Sequence, residues 1–279
     1  IQYLRVPVNA ARFGLYGLPV DVDLVLMPHF TPDRLPFESR RLTSYAPPIV
    51  NNPPVEPAGT IENGELALRL SRYVSSFNIE AYGYWGFYGG PEGLVVTSDS
   101  TGTQGTPFYP KLGVYGASGR GGLWGGVLWL EGGWYDSRQD RDGTDPLIPN
   151  SELRYLLGYE RQFFTDFTAG AQYYGEWMQK YDAYLESLPP GSNQRDELRQ
   201  LVTLRLEKFL SYQTIRLSLF TYWSPTDSDG YVRGFVSYRM SDEIELTAGA
   251  NLFAGKENWT LFGQFDQDDN IYARARYSF

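Results

Sequence analysis

One histidine and no cysteine leave this chain a narrow chemistry. Without Cys there is no disulfide, thiolate metal site, iron–sulfur cluster or Cys nucleophile. A hydrolase built on a histidine base would have to use His29, which stands beside Pro28 and near Asp33. A strand-end histidine with acids nearby is more often an ordinary surface residue, and we assign the chain no catalytic role. Inward glutamates match glycosidase carboxylates in type, but any alternating strand places carboxylates on one face. RDGTD, with Asp140, Asp142 and Asp145, and DQDDN at 266–270 carry calcium-type ligands without the full loop spacing and its terminal Glu. No metal site and no cofactor is therefore predicted. GRGG at 119–122 lacks the Lys-Ser/Thr that completes a phosphate loop, and it reads as a turn. A net charge of −9 argues against nucleic acid as a partner.

What remains is arginine and glutamate, and their placement depends on strands. Alternation with period two recurs at regular intervals along the chain. In the last segment Ile271, Ala273, Ala275, Tyr277 and Phe279 share one face, while Tyr272, Arg274, Arg276 and Ser278 share the other. Thirteen strands are read, at 1–7, 20–28, 64–73, 77–88, 108–118, 122–135, 151–161, 166–180, 198–210, 213–224, 230–240, 243–254 and 270–279. Short connections at 74–76, 119–121, 162–165, 211–212 and 241–242 alternate with longer ones at 29–63, 89–107, 136–150, 181–197, 225–229 and 255–269. Trp259 to Phe265 resembles a strand, but adding it would put the 181–197 connection at the wrong end, so 255–269 is assigned as a loop. Residues 178–188 have helical periodicity and predict a short helix leading into the 181–197 external loop.

Long strands, alternating loop lengths and the absence of any run of 18 apolar residues predict an all-β antiparallel transmembrane barrel rather than a helical membrane protein. Residues 1–279 form one such domain. Single-chain bacterial barrels have even strand numbers, so 14 or 16 are expected in the complete barrel, with N-terminal strands missing or an irregularity around Arg12 to Pro19. Lipid-compatible faces run through Ile215, Leu217, Leu219 and Trp223, through Ile244, Leu246, Ala248, Ala250 and Leu252, and through Phe167, Ala169, Ala171, Tyr173 and Trp177. Aromatics near strand ends, among them Trp134, Trp177, Tyr222, Trp223, Tyr238, Tyr277 and Phe279, suit interfacial girdles.

Alternation then predicts the lumen. Arg205, Arg216, Arg233, Arg239, Arg274 and Arg276 form a basic arc. Glu80, Glu131, Glu152, Glu160 and Glu176 form an acidic arc. Opposed arcs set a transverse field across a pore. Such groups also pair across strands, as Glu207 with Arg205 or Arg216, and Glu245 near Arg239 and Arg276. The Pro-rich loop 29–63, with Asp33, Arg34, Glu38, Arg40 and Arg41, is the constriction candidate.

Three segments carry a resemblance: DVDLVLMPHFTPDRLP at 21–36, VTLRLEKFL with QTIRLSLFTYWSPTDSDGYVR within 202–233, and LTAGANLFAGKENWTLFGQFDQDDNIYARARYSF at 246–279. They are similar to a group of functionally uncharacterised proteobacterial outer-membrane barrels, loosely akin to alginate-export-type porins. The resemblance implies an outer-membrane location among lipid and lipopolysaccharide. The terminal strand ending in Phe279 resembles the signal read by the barrel-assembly machinery. The resemblance carries over no catalytic residues. The expected function is a passive channel for small polar or anionic solutes; the alternative is a barrel that sheathes or docks a protein partner.

Overall fold

A computed structural model describes residues 7–33, 52–100 and 102–279. The strands are β1 (Ala11–Leu15), β2 (Asp21–Met27), β3 (Glu65–Val74), β4 (Phe77–Phe87), β5 (Gly93–Asp99), β6 (Gly102–Phe108), β7 (Lys111–Leu123), β8 (Gly126–Ser137), β9 (Glu152–Phe164), β10 (Phe167–Met178), β11 (Leu198–Leu210), β12 (Ile215–Ser224), β13 (Asp229–Arg239), β14 (Ile244–Ala254) and β15 (Asn270–Tyr277). One α-helix, α1 (Tyr181–Ser187), follows β10.

Thirteen strands make one antiparallel sheet in the order β1-β2-β3-β4-β7-β8-β9-β10-β11-β12-β13-β14-β15, and β5 with β6 forms a separate hairpin. Each strand of the large sheet pairs with its neighbours in that order, so the chain meanders. No ladder joins β1 to β15 among the described residues. The helix expected near 178–188 is present as α1. Residues 255–269 form no strand and hold only a short 3-10 turn at Gly263–Phe265.

The structure corrects three readings. The first strand of the sheet is β1, inside the Gly- and Pro-rich stretch treated as irregular, whereas the strand read at 1–7 falls almost wholly outside the described residues. The connection read at 89–107 contains the β5–β6 hairpin, whose Ser/Thr/Gly-rich sequence hides its pairing. GRGG at 119–122 is not a turn but continues β7, and the chain reverses at Trp124–Gly125. Gly121 belongs in the strand because the Phe77 ring lies against it; a Cβ there would meet that ring at 2.6 Å.

The connections 16–20, 75–76, 124–125, 165–166, 211–214 and 240–243 lie at one end of the sheet, and the four-residue 225–228 lies at the other. Left-handed backbone recurs at the first of these ends, at Gly17, Ser75, Trp124, Gly125, Asp166, Ser211, Tyr212 and Gln213. Trp124 and Gly125, both at positive φ, make the two-residue turn whose twist suits a β-hairpin. The long connections all lie at the other end.

Register sorts the side chains into two faces. One carries Leu66, Leu68 and Leu70 of β3, Leu128 and Leu130 of β8, Leu204 and Leu206 of β11, and Leu217 and Leu219 of β12, with their counterparts on neighbouring strands. Among the described residues no second layer covers this face, and many of its side chains are exposed. The small apolar core lies instead at the long-loop end, where the rings of Phe30, Phe87 and Tyr109 pack with centroids 4.8 and 5.4 Å apart.

Gly125→Ala places a side chain at φ +75° and should cost about 1 kcal/mol. Gly132→Ala, whose new methyl group meets nothing, should cost less than about 0.5 kcal/mol. Urea unfolding midpoints of the two variants check this, and equal midpoints would show that the turn is not strained by Ala.

Candidate functional site

The second face of the sheet is polar and concave. A void of about 760 Å³ is bounded by residues of β3, β4, β7, β8, β9 and β10, among them Tyr82, Glu80, Trp129, Glu131, Tyr135 and Arg154. A further void of about 390 Å³ runs from Arg120 of β7 to Phe220 of β12. A flat sheet face cannot enclose volume across six consecutive strands, so this face curves inward. Large rings on it lie along the wall. Trp129 lies flat over Gly158, and Tyr272 lies over Gly249, where a Cβ would meet the ring at 2.6 Å. Glycine opposite an aromatic keeps each ring out of the middle of the concavity.

Register puts Arg205, Arg216, Arg233, Arg239, Arg274 and Arg276 on this face together with Glu80, Glu131, Glu152, Glu160 and Glu176. The glutamates sit on β4, β8, β9 and β10, and the arginines on β11 to β15. Cross-strand pairing blunts the separation. Arg205 reaches Glu160 at 3.5 Å and Glu207 at 3.1 Å, Arg216 reaches Glu207 at 2.8 Å, and Arg274 reaches Glu245 at 3.6 Å. Arg233, Arg239 and Arg276 form no ion pair among the described residues. Arg233 instead lies 5.6 Å from the Phe235 ring.

At the long-loop end the charges form a continuous ladder. Asp227 binds Arg199 at 2.7 Å, and Arg199 binds Glu176 at 3.2 Å. Glu176 lies 4.0 Å from Arg154, Arg154 binds Glu152 at 2.8 Å, and Glu152 binds Arg195 at 2.9 Å. Tyr174 donates to Glu176 at 2.8 Å, and Arg154 stacks 4.1 Å from the Tyr135 ring. Three acids alternate with three bases, so the ladder is neutral, and Glu152 and Glu176 are not the free acidic wall that alternation alone predicts. Arg199 shares its strand parity with Arg205 and was legible in that way. Arg195 and Asp227 come from loops, where no periodicity marks them.

A second cluster was also missed. Asp23, nearly buried on β2, accepts from Arg12, Arg69 and Tyr16 at 2.5 to 2.8 Å, and Arg69 also reaches Glu80 at 3.4 Å. Four strands share this knot, which pins the β1 edge of the sheet.

Of the loop residues proposed for a constriction, Arg34, Glu38, Arg40 and Arg41 lie outside the described residues. The Asp33 N–H donates to the Gly89 carbonyl at 2.9 Å, tying the start of that loop to residues 88–92. In the same region, burial pushes the Tyr88 hydroxyl up to about 12. Glu92 keeps one side open to solvent, yet burial among surrounding groups raises its carboxyl above the usual range, against the pull of Arg195 and Arg154. His29 makes no side-chain hydrogen bond among the described residues. Asp140 spends both oxygens on the backbone N–H groups of Thr144 and Asp145, at 3.1 and 3.0 Å, which accounts for RDGTD as a folded turn. Among the described residues no three acids or histidines gather as a metal site.

No family model matches the chain, and no curated protein matches it.

Removing Arg199 leaves Glu176 and Asp227 poorly compensated. Arg199→Ala should therefore destabilise by about 2 kcal/mol, and adding Glu176→Gln should recover part of the loss. A urea double-mutant cycle measures this; strict additivity would show that the two residues do not act together. Glu92 tests the same end by pH. Its raised affinity for the proton means the folded state holds protons that the unfolded chain releases. Protection of residues 88–92 from hydrogen exchange should therefore fall as pH rises through and above the carboxylate range. Glu92→Gln should flatten that dependence; an unchanged profile would assign it to another group.

Proposed function

We propose that the chain is the wall of an outer-membrane β-barrel and acts as a passive channel for small polar or anionic solutes. The observation that carries this reading is the pattern on the uncovered face. Near the long-loop end it carries Trp85, Tyr115, Trp134, Tyr173, Trp177 and Trp223. Near the short-turn end it carries Phe77, Tyr159, Phe164, Phe167, Tyr238 and Tyr277. The rows are continuous in places: Trp85 donates to the Tyr115 hydroxyl at 2.9 Å, and Tyr115 stacks on Trp134 at 5.8 Å. Between the rows lie mainly Leu, Ile, Val, Ala and Gly, with Thr221 among them and Arg72 one pair in from Phe77. Phe77 and Trp85 are separated by eight positions of β4, about 27 Å along the strand at about 3.4 Å per residue. With a tilt of about 40° the band is about 20 Å high, close to the apolar band of a membrane barrel. Soluble sheets bury such a face under a second layer.

The concave face opposite is then the lumen. Its arginines without acid partners, Arg233, Arg239 and Arg276, favour anions. In this reading the barrel sits among lipid and lipopolysaccharide, and the strand ending at Phe279 addresses it to the assembly machinery. The unpaired edges of β1 and β15 favour a second reading, in which the barrel is completed by, or sheathes, a protein partner. A stable stoichiometric partner recovered from native membranes would support it.

Planar-bilayer recording tests the channel. Discrete conductance steps with anion preference are expected. Arg216→Ala, Arg233→Ala and Arg274→Ala combined should lower the anion-to-cation permeability ratio severalfold. Silence from folded protein would overturn the channel, and an unchanged ratio would remove these arginines from the filter.

A further inference from the structure

Residues 255–269 join β14 to β15 and turn back over the concave face. Register fixes which face they cover. Tyr222, Tyr231 and Phe253 lie on the same side as Arg216, Arg233 and Asn251. The Phe262 ring sits 5.4 Å from that of Tyr222 and 5.7 Å from that of Tyr231, and Phe265 sits 5.6 Å from Phe253. Loop rings outside the sheet could not reach these partners. Tyr222, read from sequence as part of an outer girdle, is a floor for this loop instead.

The loop is held firmly. Asp229 accepts the Phe262 N–H at 2.7 Å, and Asp269 accepts the Phe253 N–H at 2.7 Å. Gly255 and Gly263 touch backbone to backbone with no room for a Cβ on Gly255. Buried Thr260 accepts from Gly263 and donates to the Glu257 carbonyl. Across from the loop stand Arg195, Asp196, Arg199 and Asp227. Trp259, Thr260, Leu261 and Gln264 complete a void of about 330 Å³ between the two sides. That volume is near the lower end for small-molecule sites.

We propose that residues 255–269 are the constriction of the channel, a fixed aromatic insert facing the charge ladder at the long-loop mouth. This rests on the channel reading. It gives the size limit to the last loop of the sheet rather than to 29–63.

The test compares the full chain in planar bilayers with two variants. One replaces residues 257–266 by a short Gly-Ser linker, and the other is Phe262→Ala with Phe265→Ala. Neutral polyethylene glycols of graded mass serve as size probes. The linker variant should conduct at least twofold more and admit larger polymers, with a smaller change in the same direction for the double substitution. Equal conductance and an equal size limit in all three, with unchanged strand content, would overturn the constriction while leaving the channel standing. Silence in all three would overturn both. A silent full chain with a conducting linker variant would confirm that the loop obstructs the lumen and overturn only passive diffusion through the resting protein. A second readout needs no current. The chain has no cysteine, so Phe253→Cys gives a single label site. Maleimide should react there at least tenfold faster once the loop is replaced, and equal rates would overturn its placement.

Discussion

An antiparallel sheet of thirteen strands presents mostly apolar side chains on one face, and no second sheet or helix lies over that face among the described residues. The larger features of the molecule follow from this. In water, an uncovered face of that size is a liability that soluble proteins remove by adding a layer. The few buried apolar side chains do not supply one. Leu112, Met178 and Leu201 are buried on the polar face, at its long-loop end. The sheet therefore has no conventional core. Away from the outer edges of β1 and β15 its backbone groups are satisfied by ladders, its polar side chains largely by one another, and its apolar side chains, in the membrane reading, by lipid.

The two ends of the sheet solve different problems. At the short end the chain needs only to reverse, and left-handed residues in tight turns do that. At the long end it must close over a concave, charged surface. There the loops bring their own polar groups: Arg195 to Glu152, Asp227 to Arg199, and the Asp33 N–H to Gly89. The desolvation of the ladder charges at this end is offset by opposite charges on neighbouring strands or loops, while buried Glu65 accepts from the Tyr84 hydroxyl and buried Asp229 from the Phe262 N–H.

What could be read from sequence divides along the same line. Strands of eight or more alternating residues declare their faces, so the parity of Arg216, Arg233, Glu160 and their neighbours was legible, and so was the exclusion of 259–265 from the strands. Alternation says nothing about depth or partners. It could not show that Glu152 and Glu176 sit in a neutral ladder, because two of that ladder's members come from loops. It misplaced the turn at 119–122, because glycine serves turns and aromatic-facing strand positions equally well. It missed β1, whose five residues are too short a run to stand out between glycines and prolines. It gave Tyr222 to the outer girdle although that residue's parity opposes that of Trp223; register with Tyr231 and contact with Phe262 put it on the concave face.

Depth separates two tasks that the sequence pattern merges. Arg216, Arg239, Arg274 and Arg276 stand toward the short-turn end, and Glu207 and Glu245 only partly compensate them. The ladder at the long-loop mouth is neutral by count. In the channel reading, an arginine-rich wall placed beyond the ladder favours anions without holding them at the opening, since its surplus potential acts on what has already entered. In the channel reading, size selection belongs to the mouth, where an insert packed on Tyr222, Tyr231 and Phe253 narrows the opening and brings Lys256 against Glu257, Asp266, Asp268 and Asp269. Under this division, changes at 255–269 alter how large a solute passes, and changes at the deeper arginines alter which sign passes. The two sets share no contact, so their effects are expected to add.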